Sequence, residues 1–353
     1  MGALQAFSGK AAWTRRHVLA ATGMLVAAGA PASPPTATLR VSKNDTGISG
    51  LGEALRQAAA LPSPVTIAVA PGVYREKLHV AVAGVTIAAT APGVVIVYGA
   101  AAGHIRADGG RWGTGGSATL TIDAPGVTLR GLTIRNDFDY IADTVSHASG
   151  GAQAVALSIG RGADRTLVER CGIEGYQDTL YVSAGSLFRR GRIAGGVDFI
   201  FGGAAAMFQH CAIVTRFVPG VPEQGFVAAP STLADQPFGL VFDRCHVTRE
   251  PGVPDGSTWL GRPWRAGGNM AILGAAAFLR CRMEAHILPG GWTAMGFTDP
   301  AGVKRLLTPA EARLVEWRSS GPGAGASLPG RRHLSDAQAA AFTQTMILQG
   351  WMP

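Results

Sequence analysis

Residues 167–215 read LVERCGIEGYQDTLYVSAGSLFRRGRIAGGVDFIFGGAAAMFQHCAIVT, and they decide the fold. The segments LVERCGIEG, LFRRGRIAG and MFQHCAIVT begin at 167, 187 and 207, a step of twenty residues. Their marker positions are Cys171, Gly191 and Cys211, and VFDRCHVTR (241–249) and AFLRCRMEA (277–285) continue the frame. Short Val, Ile and Leu runs broken by Gly, Ala and Asp read as strands of a few residues. A propeller blade needs about forty residues, and a leucine-rich repeat needs regular leucines and asparagines. The twenty-residue step instead predicts one rung of a right-handed parallel β-helix, an all-β solenoid with short terminal helices. The marker gaps of 34 and 36 residues after Cys211 predict loops inserted on one face, commonly the binding face.

Asp178 and Asp198 each fall seven residues after a marker, so stacked rungs place them in the same position on adjacent turns. Neighbouring strands lie about 4.8 Å apart. Two carboxylates that close cannot both ionise freely, and one is pushed towards its protonated form. A protonated acid beside an ionised carboxylate is the working pair of a hydrolase. A single aspartate in such a coil is ordinarily a turn residue satisfied by backbone amides. The matched phase of two, with Gln177 adjoining one of them, favours chemistry.

Other strands are expected at 65–70, 85–88, 94–98, 120–123, 127–134 and 154–159. Residues 50–60 (GLGEALRQAAA) have helical spacing through Leu51, Ala54, Leu55 and Ala58, and are expected to cap one end of the stack. Thr308-Pro309-Ala310-Glu311 reads as the start of a short helix, and Ser335-Asp336-Ala337-Gln338 as a capping box for another.

Arg15 and Arg16 precede an apolar run, 18–30, that is too short to span a bilayer. Residues 1–32 are therefore expected to be a twin-arginine-like export signal ending near Ala30-Pro31-Ala32. Residues 31–38 then form a linker, and 33–353 a single domain. Lys10, Arg15 and Arg16 would leave with the signal and no acid would, taking the formal charge from +8 to +5. A basic exported chain without nucleic-acid motifs suits an anionic polymer outside the cytoplasm, periplasmic or extracellular. No later segment qualifies as a membrane span. The cysteines Cys171, Cys211, Cys245 and Cys281 share one local frame and lack metal spacing. They are expected to pack as small inward residues, with Cys211 and Cys245 able to pair if their rungs are adjacent.

QAVAL (153–157), GYQDTLY (175–181), GVDFIFG (196–202) and LGRPW (260–264) resemble, in order, the signature segments of pectin methylesterases. APST (229–232), FGLVF (238–242), the stretch around Gly291-Trp292, GPGA (321–324) and the C-terminal LSDAQAAAFTQTMILQGWMP extend the similarity to the bacterial branch of that family, over about 38–353. The resemblance implies removal of methyl esters from the galacturonate units of pectin. Asp198 matches the nucleophile and Asp178 the acid/base. Gln177 matches the oxyanion-stabilising amide, with Gln153 alongside. Arg262 matches the arginine that pairs with the nucleophile. Tyr181, Phe201, Trp264 and Trp292 match aromatic positions lining the sugar groove. No metal and no cofactor are implied, and a monomer is expected.

The chemistry fits these residue types independently. An amide can donate to the charge that builds on a collapsing ester oxygen. A guanidinium can grip a carboxylate with two hydrogen bonds and keep it ionised. Asp178, without such a partner, is expected to carry the raised pKa. Departures from the family pattern are Trp259 where tyrosine is usual, Gly191 where related bacterial sequences often carry cysteine, and alanines at 204–206. Three alternatives stay open: a β-helix glycosidase acting on polygalacturonate, since carboxylates about 5 Å apart also suit retention; a polysaccharide-binding β-helix without activity; and an esterase for another acyl group. No GxSxG elbow is present, which disfavours a serine hydrolase.

Overall fold

Each twenty-residue step is one turn of a coil built from three short strands. A computed structural model describes residues 37–43 and 47–353; the expected export signal lies outside them. Strands Thr166–Glu169, Gly172–Glu174 and Leu180–Val182 make one turn, and Ser186–Arg189, Arg192–Gly195 and Ile200–Gly202 make the next. Equivalent strands pair in parallel, building sheets of eleven, eight and seven strands that run along a right-handed β-helix. Leu167 faces Leu187 and Leu187 faces Met207; Ile173 faces Ile193 and Ile193 faces Ile213; Leu180 faces Ile200. The twenty-residue offset is thus kept in all three sheets.

The first corner of each coil has a fixed chemistry. Arg170, Arg190, His210, Arg244 and Arg280 all take left-handed backbone, with φ of 52–55°. Each immediately precedes a marker residue, so the chain turns there and drops the marker inside. Cys171, Cys211, Cys245 and Cys281 are buried as free thiols. Cys211, Cys245 and Cys281 donate weakly to the carbonyls of Phe188, Phe208 and Phe242 on the preceding coil. The rungs of Cys211 and Cys245 are adjacent, as pairing would need, but the two thiols are unbridged.

One line of the largely aliphatic interior is a column of aromatic rings. Phe188, Phe208, Phe242 and Phe278 occupy one register and stack at centroid distances of 4.6, 4.6 and 4.3 Å with near-parallel planes. Glu316 takes the next place in the register. Its carboxylate is fully buried and accepts two hydrogen bonds, of 2.8 and 2.9 Å, from the equally buried Arg331. The aromatic column therefore ends on a paired charge.

The helix Leu51–Ala59 buries Leu51, Ala54, Leu55 and Ala58, the face its spacing predicted, and packs on the first strands of the stack. Glu76 accepts hydrogen bonds from the free amides of Leu51 and Gly52 at its N-terminus. The expected strand over 127–134 is two strands, Thr128–Arg130 and Thr133–Asn136, because Gly131 (φ 68°) makes a corner between them. Ala37 and Thr38, expected in a linker, begin the strand Ala37–Val41.

The helix expected at 308–311 does not form. Glu311 accepts from the Thr308 amide and hydroxyl, but the Glu311 amide donates to the Thr308 carbonyl, so only half of a capping box forms. The chain leaves it at once for the strand Arg313–Trp317, which pairs with Ala275–Leu279. Sheet pairing outcompetes a single turn of helix. The capping box at Ser335 is complete and does open the helix Asp336–Ala339. Replacing a ring in mid-column tests the core: Phe208→Ala is expected to cost ~3–5 kcal/mol in urea unfolding, and a loss under ~1 kcal/mol would contradict a tightly stacked interior.

Candidate active site

The corners leading into the strands Leu180–Val182 and Ile200–Gly202 bring two aspartates face to face. The Asp178 amide donates to Val197 O at 3.0 Å, the ladder bond expected when residues 178 and 198 are register partners. Both aspartates have left-handed backbone, with φ of 59° and 49°. Asp tolerates that conformation better than most side chains, and here it holds each carboxyl at a corner of its coil. Asp198 is 6 % exposed, and Asp178 is half-buried at the groove surface.

A third segment, two coils after Asp198, supplies the counter-charge. Arg262 Nε and Nη2 donate to Asp198 Oδ1 and Oδ2 at 2.9 and 2.8 Å. The guanidinium also lies 3.8 Å above the Phe226 ring. Its backbone is fixed by a close approach: a Cβ on Gly261 would sit 2.1 Å from Ala228 O, so only glycine fits there. The Arg262 amide then donates to the same carbonyl at 3.0 Å.

This arrangement separates the two carboxyls electrically. Burial raises the pKa of both. For Asp198 the hydrogen bonds and charge of Arg262 oppose that rise. Asp178 has no hydrogen-bonded cation; burial and then the neighbouring Asp198 charge push it up to about 8, against a weaker pull from Arg262. The shift of Asp198 is still upward, but Arg262 restrains it and favours the ionised form, so Asp178 is the group that keeps its proton to higher pH.

The glutamines flank this pair. Gln177 immediately precedes Asp178, and Gln153 is its register partner one coil earlier, the Ala154 amide donating to Gln177 O at 3.0 Å. Both are half-buried, and neither amide side chain bonds to protein among the described residues, so their donors are available to a ligand.

Tyr181, Phe201 and Trp264 come together beside the aspartates. Tyr181 and Phe201 lie 4.9 Å apart and Phe201 and Trp264 5.8 Å apart. With Thr114 and Gly115 they line a cavity of ≈ 200 Å³. Trp292, expected on the same groove wall, is elsewhere. It is 4 % exposed and packs inside the solenoid against the side of Phe278, ring centroids 5.7 Å apart.

Other neighbours of the site were not read from the sequence. Asp139 caps the short helix Tyr140–Ser146. Tyr140 stacks on Tyr176 at 5.2 Å, and the Arg216 guanidinium lies 3.9 Å over the other member of that pair, Tyr176. Tyr140 is close enough to the aspartates that, after burial and Asp143, their charges help raise its hydroxyl pKa. The Asp139 cap before YIADTVS was the available signal. Among the described residues, no three His, Cys, Asp or Glu side chains converge as a metal cluster would.

The family model described as Pectinesterase matches residues 39–350. The chain belongs to the pectinesterase family. It is 37% identical over 322 residues to pectinesterase A of Dickeya chrysanthemi, covering 86% of this chain and 87% of that one. The pectin methylesterase PemA of Erwinia chrysanthemi superposes with a TM-score of 0.85 at 37% identity, covering 91% of this chain and 99% of the other. That from Yersinia enterocolitica gives 0.82 at 39%, with 86% and 99% covered. A further similar structure is a pectin methylesterase in complex with a hexasaccharide, at a TM-score of 0.85. Family and fold agree with the ordered motifs, and the glycosidase alternative is not favoured.

The raised Asp178 pKa has a consequence for stability. The folded state holds this proton up to about 8 whereas the unfolded chain releases it near 3.8, so the group stabilises the fold at low pH and loses that contribution as pH rises to about 8. Asp178→Asn is expected to flatten this slope and to be the more stable protein at neutral pH. Urea midpoints across that window check it; parallel wild-type and variant profiles would contradict it.

Proposed function

We propose that this pectinesterase removes methyl esters from the galacturonate units of pectin, releasing methanol and leaving pectate, through an acyl-enzyme on Asp198. The observation that carries the reading is the asymmetric pair: Arg262 grips Asp198 with two hydrogen bonds, and Asp178, one coil away, is pushed up to about 8.

Asp198 attacks the ester carbonyl as a carboxylate, and a tetrahedral centre forms with negative charge on the former carbonyl oxygen. The Gln177 amide, with Gln153 beside it, donates to that oxygen. Asp178 gives its proton to the departing methanol, and the intermediate collapses to an anhydride with Asp198. Asp178, now ionised, takes a proton from water, which attacks the acyl carbon and frees the galacturonate carboxyl and Asp198. Arg262 keeps Asp198 charged at the start and stabilises it as a leaving group at the end. Tyr181 and Trp264 offer flat faces to the apolar sides of sugar rings, and Phe201, 4 % exposed, backs them.

The substrate assignment is supported by the hexasaccharide complex of a similar pectin methylesterase and by the names of the relatives. No helix among the described residues is long and apolar enough to cross a membrane. The twin-arginine-like N-terminus supports export, where plant wall polymers would be met.

Methanol release from methylated pectin, run beside a reducing-sugar assay, tests the reaction class. Methanol without new reducing ends is the expected result; reducing ends without methanol would reinstate a glycosidase. Asp198→Ala is expected to abolish methanol release with an unchanged circular dichroism spectrum, and a folded, active variant would defeat the nucleophile assignment.

A further inference from the structure

The column that carries the two aspartates does not stop at them. The Phe199 amide donates to Phe226 O at 3.3 Å, which places Phe226 on the coil after Asp198 in the same register. Phe226 in turn pairs with Trp259. The order along this line is therefore Asp178, Asp198, Phe226, Trp259, with Arg262 lying over Phe226. At strand spacing, Trp259 sits about 10 Å beyond the nucleophile.

Trp259 is unlike the other rings of the interior. It is half-buried, and among the described residues it makes no ring stacking or cation contact. Its indole N–H donates to Glu223 Oε2 at 2.8 Å, which fixes the ring from one edge. Gly290 leaves room at another edge, since a Cβ there would sit 3.0 Å from Trp259 Cζ3. Glu223 is itself held in place. The next residue, Gln224, is 2 % exposed and pins its loop by accepting from the Val218 amide at 2.7 Å and donating to Val218 O at 3.1 Å. Glu223 is exposed and has no ion-pair partner among the described residues. A propped indole face and an uncompensated carboxylate thus stand at the far end of the reacting line.

We propose that Trp259 and Glu223 form a further sugar-binding site, two coils past Asp198, which stacks a methyl-esterified galacturonate unit and disfavours one with a free carboxylate. This rests on the pectin methylesterase reading of the same groove. An esterified unit is uncharged, and its ring C–H face matches the indole. A de-esterified unit would bring a second carboxylate up to Glu223, with no cation bonded to that glutamate to offset the repulsion. The site therefore ties productive binding to the ester content of the substrate beyond the unit being cleaved.

Michaelis constants for methanol release, measured on highly esterified pectin and on pectin partly de-esterified in blocks, decide the matter. Trp259→Ala is expected to raise KM on the highly esterified polymer about three- to ten-fold with kcat held. Trp259→Phe, which keeps a flat face, is expected to recover most of that. Glu223→Gln is expected to lower the ratio of the two constants, de-esterified over esterified, by about three-fold at low salt, with the difference fading at high salt. Unchanged KM in Trp259→Ala, or equal losses in the Ala and Phe variants, would overturn the stacking site. An unchanged ratio in Glu223→Gln, an exposed and conservative change, would overturn the charge selection even if Trp259→Ala failed to fold. Wild-type enzyme that releases no methanol would sink the esterase reading itself, a separate failure.

Discussion

The candidate site depends on one constraint, the in-register hydrogen bonding of successive coils. A backbone ladder with a constant twenty-residue offset converts two aspartates far apart along the chain into facing neighbours. Neither carboxyl is remarkable alone. Their pairing at strand spacing, under partial burial, makes a second charge costly and leaves Arg262 to choose which one is ionised. The bidentate contact makes Asp198 that one.

The rest of the fold keeps that spacing from relaxing. Stacked phenylalanines inside the solenoid fix the distance between turns, and repeated left-handed corners fix where each turn begins. Arg331 and Glu316 close the column with a buried pair and, through Arg331, hold the carbonyls of Leu288, Pro289 and Gly323. Arg262 arrives from a later coil on a backbone whose approach to Ala228 admits only glycine before it. The candidate reacting groups are thus held on hydrogen-bonded coils of the solenoid, which suits chemistry that needs fixed donors and a fixed counter-charge.

The repeat itself was legible because a solenoid reuses one local solution at a constant step. Frame, core positions and the facing of Asp178 with Asp198 all follow from that regularity. The end cap at 51–59 was legible for the same kind of reason, a clear period with a clear apolar face. What escaped were outcomes decided by competition or by long-range folding. Thr308 and Glu311 form half of a local box, but a strand partner 38 residues earlier claims the next segment, Ala275 facing Arg313. Trp292 is aromatic in either setting, and only the internal Phe278 column shows that it faces inward. Tyr140 and Thr114 come from short helices inserted between coils, and Glu223 from an inserted loop, and the paths of these insertions carry no periodic signal.

The central claim is electrostatic: at neutral pH Asp178 is protonated while Asp198 is not. Carbon NMR titration of the two side-chain carboxyls, assigned with Asp178→Asn and Asp198→Asn, tests this in the resting enzyme. The expected result is an Asp178 transition at about 8 and an Asp198 transition at lower pH. Both carboxyls titrating together in the ordinary carboxylate range, or Asp198 holding its proton longer than Asp178, would contradict the assignment of acid and nucleophile.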